Sequence, residues 1–394
     1  MDHTNGPSGI ACDAGGIVRS ATARCGEPDA IERLARALGP DDLALVLVFT
    51  SPQDVTDALI RSAQSAFAPA PVVGCTTAGE IAQAGYTEGE IVVIGFPADA
   101  FRARTILIGS LDAYDPTAVT EQMIGNRNDL MHEVPDWPSD FTFLMVDGLS
   151  TKEDTLASQL SLGLGNAPFF GGSAGDGTDF NETFVLHEGR AHANAAVLVQ
   201  IRSRCPVEVF KTDHLVPTET RMVVTSADPA RRIVREINAE PAAREYARLL
   251  GKDPEQLSAF TFAAHPVVVR IGGQHHVRAI QRVAENGDLI FFSAIDEGVI
   301  LTLANPTDMV AHLEGEMTRL ATPRKPDIIL ACDCILRRVE AEQKQMTTGL
   351  SRLLSAFRVR GFSTYGEQIN TMHVNQTLTG VAIYPPEGEA HDGH

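Results

Sequence analysis

Basic residues are scarce in this sequence. Lysine and arginine number 32 against 51 aspartates and glutamates, a net charge of −19 over 394 residues. Nucleic-acid binding draws on cations that displace counterions from phosphates, so a chain this acidic is poorly suited to nucleic acid or an anionic membrane. Long apolar runs are also missing, and none approaches the ~20 residues of a membrane span. Residues 1–26 are small and polar, without the apolar segment of a secretory signal, which predicts a cytoplasmic protein. Six scattered cysteines exclude a disulfide scaffold and fit a reducing compartment. Neither a P-loop nor a G-x-G-x-x-G sequence occurs, so nucleotide binding has no support. The partners left are a small molecule, another protein, or a second copy of the chain.

What is present is ordinary globular composition, 44% hydrophobic with 33 glycines, and enough length for two or three domains at about 100–200 residues each. Apolar runs alternate with helical patterns, which predicts a mixed α/β (α+β) fold. Leu43–Thr50 reads as a buried strand. A cap at Ser51-Pro52 then predicts a helix through Val55, Leu59, Ile60 and Phe67, and Val72-Val73 leads into Gly74-Cys75-Thr76-Thr77-Ala78-Gly79-Glu80. A second unit repeats the plan. Phe141–Val146 is a strand, Ser150-Thr151-Lys152-Glu153 is a capping box, and a helix through Leu156, Leu160 and Leu164 precedes Phe170-Gly171-Gly172-Ser173-Ala174-Gly175-Asp176. Near the C-terminus a strand at Asp327–Ala331 and a long helix from Ile335 to Phe357 lead into Gly361-Phe362-Ser363-Thr364-Tyr365-Gly366-Glu367.

The first and third loops share G-x-[ST]-T-x-G-E, and the middle one reads as a shortened relative ending in Asp176. This repetition predicts two related halves that aim glycine-rich loops at a shared site. Between them, Glu208–Lys211 and Met222–Thr225 are strand-like, and Asp228-Pro229 caps a predicted helix through Ile233, Val234, Ile237 and Tyr246. A meander follows at Val267–Ile271, Val277–Val283 and Leu289–Ser293 with an Asn286-Gly287 turn.

Several patterns fall short of catalytic chemistry. Gly171–Gly175 matches a G-x-S-x-G elbow around Ser173, but turn residues follow where that motif needs a helix. His187-Glu188-Gly189-Arg190-Ala191-His192 is one residue too long for H-E-x-x-H, so its imidazoles would diverge on a helix. Cys332-Asp333-Cys334 offers two thiols where zinc wants four ligands; buried thiols, a metal pair and a disulfide all stay open. Glu80 and Glu367 hold equivalent loop positions, either as paired acids or as acceptors that fix their own turns. The sequence therefore predicts a protein that binds rather than catalyses. His275 and His276 point to opposite faces of a strand, so at most one joins a site. His214 and His373 lie where a ligand crossing the two halves would be reached.

The three loops, with Asn375-Gln376-Thr377 downstream, resemble those of FIST-domain proteins, which are sensory. The likeness runs over about residues 30–384. It implies a FIST N domain over 28–215 and a FIST C domain over 216–386, between a flexible tail at 1–27 and a short tail at 387–394. Within the family, the run Gly361–Asn370, then Met372-His373-Val374-Asn375-Gln376-Thr377, resembles the stand-alone bacterial nitric-oxide-sensing haem proteins, as does Asp228–Asn238. That resemblance implies non-covalent haem b, nitric oxide as the gas ligand, and a two-component histidine kinase regulated in trans, since no output domain is expected on this chain. No C-x-x-C-H occurs for covalent attachment.

Haem iron needs an axial ligand and an apolar pocket. The candidates are His373, then His214, with Met372 or Cys332 behind them, and Phe169, Phe170, Phe362 and Tyr365 beside Gly171 and Gly172 as the wall. The alternative is a sensor of a small metabolite such as an amino acid, held by loop N–H groups with Thr77, Glu80, Ser173, Asp176, Thr364 and Glu367. A serine or carboxylate hydrolase stands third.

Overall fold

The computed structural model describes residues 10–13 and 15–386. It is a mixed α/β protein, as the alternation predicts, built from three related units rather than two. Each unit runs strand, helix, strand, helix, strand, hairpin, strand. In the first, Leu43–Thr50 lies parallel to Val72–Thr76 across the helix Asp57–Ala66. In the second, Ser139–Val146 lies parallel to Phe169–Ser173 across Glu153–Leu164. In the third, Ile328–Cys334 lies parallel to Val359–Thr364. A return strand then runs antiparallel to the first of each pair: Glu90–Pro97, Ala196–Ser203 and Leu378–Ile383.

Each unit gives its hairpin away. The first unit's Glu80–Ala82 pairs with Val359–Thr364 of the third, Phe362 opposite Glu80. The third unit's Glu367–Ile369 pairs with Phe169–Ser173 of the second, Gly172 opposite Glu367. The second unit's Val185–His187 pairs with Val72–Thr76 of the first, Cys75 opposite Val185. The exchange closes a ring. Inner faces of all three sheets meet in one core that holds Phe49, Cys75, Phe143, Phe170, Cys332 and Phe362. Helices cover the outer faces and make a smaller core in each unit.

The repeated loops owe their first glycine to this pairing. A Cβ at Gly74, Gly171 or Gly361 would stand 1.9, 2.5 or 1.8 Å from the carbonyl oxygen of Val48, Leu144 or Ala331 on the adjacent parallel strand. No side chain fits there, so these glycines serve strand approach.

Between the third unit's first strand, Val207–Thr212, and the rest of that unit stands an inserted domain. Its sheet runs in the order Gln274–Arg278, Val267–Ile271, Ile300–Pro306, Leu215–Asp228, Ile233–Ile237, Leu289–Phe291, Ile280–Val283, and its own core includes Tyr246, Phe262 and Phe291. The boundary expected at 215/216 falls where this insertion begins.

Four local expectations are corrected. Asp228-Pro229 caps only a single turn, Pro229–Arg231, and Ile233–Ile237 is a strand, its β-branched residues paired with Asp228 and neighbours. The long helix is two, Ile335–Gln343 and Thr347–Ala356, broken where Gln345 takes a positive φ of 56°. The helix Glu153–Leu164 starts without a side-chain cap, so the capping box is not formed. The tail expected over 1–27 contains Arg19–Arg24, a largely buried strand beside Glu90–Pro97; the tail at 387–394 lies outside the described residues.

Candidate functional site

The two proposed axial histidines are locked in hydrogen bonds. His214, between Val207–Thr212 and Leu215–Asp228, accepts at Nδ1 from Arg337 at 2.9 Å and donates from Nε2 to Glu340 at 3.0 Å. Arg337 donates only, so Nδ1 must be unprotonated and the ring neutral. Burial lowers the His214 pKa in agreement, although Glu340 opposes it. His373 repeats the arrangement: Nδ1 receives Gln368 Nε2 at 3.1 Å, and Nε2 donates to the Phe292 carbonyl at 3.3 Å. Burial lowers its pKa too. Neither ring has a lone pair left for iron, so these two positions do not fit an axial ligand.

The expected apolar wall is packed core. Phe170 rests on Phe143 with ring centroids 4.9 Å apart, and Phe362 on Phe49 at 4.7 Å. Tyr365 stacks on Phe180 and donates its hydroxyl to Asp176. Cβ atoms at Gly171 and Gly172 would strike Leu144 and Cys332, and Met372 packs against the central core. Cys332 and Cys334 are free, buried thiols whose pKa values burial raises. Among the described residues no group of three or more His, Cys, Asp or Glu side chains is placed to hold a metal ion.

The carboxylates fix turns. Glu80 accepts from the Thr77 hydroxyl at 2.5 Å and the Glu90 N–H at 3.2 Å. Glu367 accepts from the Thr377 hydroxyl at 2.6 Å and N–H at 3.1 Å. Glu90 and Thr377 each follow a residue of positive φ, Gly89 or Gln376, so the two glutamates do one job in two units. They are not an acid pair. Asp176 is not their counterpart, because Val185 holds that register position in the second unit, and the middle connection is the longest of the three. Asp176 instead accepts from the N–H groups of Phe180, Asn181 and Glu182. Thr364 bonds its own loop, and Ser173 receives Gln368 Nε2 at 3.1 Å with no helix behind it.

The loops meet one another. Ala78 donates to Ser363 O, Ser173 to Gly366 O and Gly175 to Thr76 O, so these N–H groups are spent inside the protein. Above the first two loops a cleft of about 430 Å³ opens, walled by Thr77–Glu80, Asp176–Asp179 and the helix Ile335–Gln343 of the third unit. Three of the six residues expected of a metabolite site, Thr77, Glu80 and Asp176, line it; Ser173, Thr364 and Glu367 lie buried outside it. Arg338, Glu342, Glu88 and Asp179, which sequence reading did not single out, complete the wall.

Arg338 donates to Glu342 at 3.1 Å, Glu88 at 3.0 Å and the Thr87 carbonyl at 3.0 Å. Gly79 makes room for it, since a Cβ there would stand 1.9 Å from the guanidinium. Five carboxyl groups and one arginine therefore line the cleft. Burial pushes the Glu80 carboxyl up to about 7, so near neutrality it takes or gives a proton readily.

A family model described as the FIST N domain matches residues 44–240, and one described as the FIST C domain matches residues 242–370. The chain belongs to the FIST family. The FIST N match starts within Leu43–Thr50 of the first unit, covers the second unit and the Val207–Thr212 strand, and ends inside the inserted domain. The rest of that domain and most of the third unit fall in the FIST C match, so the matches meet near residue 241 and not at the expected 215/216. FIST domains mark a small-ligand sensing module, and that coarse function applies here. No curated protein matches the chain. Among the described residues no helix is long and apolar enough to cross a membrane.

Proposed function

We propose that this FIST protein senses a small metabolite carrying an ammonium group, of the amino-acid class, in the cleft over the first two glycine loops. One observation carries the reading. A cleft of about 430 Å³ has Glu80, Glu88, Asp176, Asp179 and Glu342 around a single Arg338. The exposed carboxylates Glu88, Asp179 and Glu342 suit an ammonium, and Arg338 has hydrogens beyond its present bonds for a carboxylate. The walls come from all three units, so an occupant bridges all three at one point. Such bridging is what a sensor needs, because a ligand shifts a conformational equilibrium only through differential contacts.

The finer reading from the resemblance is haem b, nitric oxide and a histidine kinase regulated in trans. Its support is the likeness of Gly361–Asn370, Met372–Thr377 and Asp228–Asn238 alone, and His214 and His373 lend it no free ring nitrogen. Thermal melting against the twenty amino acids, short diamines and haem separates the two readings, because binding to the native state raises Tm. An amino acid or amine that raises Tm, with the rise lost in Asp179→Asn, supports the cleft. A Tm rise with haem alone, accompanied by a Soret band that moves with nitric oxide, would displace it.

A further inference from the structure

The inserted sheet carries a groove of about 670 Å³, separate from the cleft above the glycine loops. In a chain of net charge −19 its charged lining is mainly basic: Arg221, Arg270 and Arg278 with His275, against Glu219 and Asp296. The register explains the grouping of Arg221, Arg270 and His275, whereas Arg278, opposite Val267, alternates to the other face. Arg221 stands opposite Thr302, and Thr302 opposite Val268. Arg270, two residues beyond Val268, points to the same face and stands opposite His275. Arg221 and Arg270 are exposed, and among the described residues neither has a hydrogen-bond or ion-pair partner.

Cations gathered on one sheet face repel each other. Several buried or half-buried arginines of this chain are paired, Arg232 with Glu153, Arg337 with Asp333 and Arg358 with Asp327. Arg278 is the one groove arginine with a protein partner, donating to the His373 carbonyl at 2.7 Å. Apart from Thr218 and Thr302, the rest of the wall is apolar or glycine. Ile271 and Ile300 are 46% and 53% exposed at the groove, beside Val299.

We infer that this groove binds a small amphiphilic anion, an apolar body ending in a carboxylate or phosphate. The unpaired guanidiniums of Arg221 and Arg270 take the anionic head, since a planar guanidinium matches both acid groups. Ile271 and Ile300 cover the apolar body, whose transfer from water is favourable at about 25 cal/mol per Å². Arg278 ties the groove to the hairpin strand Met372–Val374, which the third unit lends to the second unit's sheet.

Calorimetric titration of the full chain with decanoate, and separately with inorganic phosphate, tests this. Decanoate is expected to bind one per chain, at least tenfold tighter than phosphate. R221Q/R270Q should weaken it at least tenfold with Tm unchanged, because both side chains are exposed. Asp179→Asn should leave decanoate binding intact, which keeps this result distinct from failure of the cleft. No decanoate binding, or equal binding by R221Q/R270Q, overturns the inference. Phosphate bound as tightly as decanoate would overturn the role of the apolar wall.

Discussion

In the three-unit core every sheet borrows a hairpin from a neighbouring unit, whereas the inserted sheet is built wholly from residues between Leu215 and Pro306. Both regions carry a cavity, and the cavities differ as their scaffolds do. The cleft over the glycine loops is acidic and has walls from all three units. The groove on the inserted sheet is mainly basic and belongs to one domain. A ligand in the cleft can therefore report on how the units sit together. A ligand in the groove acts on the core only through the contacts that pin the insertion to it. Those contacts include specific buried ones. Ser293 donates to Asn375 at 2.6 Å, Gln376 to the Ala263 carbonyl at 2.9 Å, and Arg232 pairs with Glu153 in a buried ion pair.

The sharpest way to break the contrast is to deny the core its strand approach. Gly361→Ala places a methyl 1.8 Å from a backbone oxygen that cannot move aside. The expected loss is about 4 kcal/mol or more, seen in denaturant melts, while Gly109→Ala, which meets nothing within 4 Å, stays near wild type. Next in size is Arg232→Ala. It strands the Glu153 carboxylate in a buried site, and should cost about 3–5 kcal/mol and loosen the insertion first. Hydrogen exchange would show this as faster exchange across the insertion than across the central core.

The smallest effect concerns pH. The Glu80 pKa is raised from 4.5 to about 7, so the native state holds a proton that the unfolded chain has released. Its contribution to stability is therefore present at low pH and falls as pH rises from about 4.5 to about 7. In Glu80→Gln that decline is absent. The wild-type-minus-variant difference should drop by roughly 3 kcal/mol across the window and be flat above it. Paired urea melts at pH 5, 6, 7 and 8 measure it. His214 and His373 push the other way, since they resist protonation when folded. Taking the difference against the variant cancels them.

The repeat was legible in the sequence because the first glycine of each loop answers a backbone collision, and such positions admit no other residue. The strand pairs at Leu43–Thr50 and Phe141–Val146 were legible for a similar reason, being apolar runs buried on both faces. The exchange of hairpins was not. Glu80–Ala82 and Val185–His187 are three residues long, and nothing in a three-residue strand names its partner. Ile233–Ile237 misled because its apolar spacing suits a helix face as well as a strand, and pairing with Leu215–Asp228 decides the matter. The site was half legible. Thr77, Glu80 and Asp176 sit in the loops, where the pattern draws the eye. Arg338 and Glu342 form an i,i+4 pair on a helix, and that spacing reads as an exposed helix face until the third unit is folded against the first.

The central claim is that the acidic cleft holds an ammonium-bearing metabolite, and calorimetry tests it most directly. The wild-type protein, Asp179→Asn and Arg338→Gln would be titrated with each amino acid and with 1,4-diaminobutane. The account predicts at least one ligand binding one per chain, weakened tenfold or more in Asp179→Asn. Any zwitterionic ligand should be weakened in Arg338→Gln as well. Absence of binding across the panel, or binding that survives both substitutions, would contradict it.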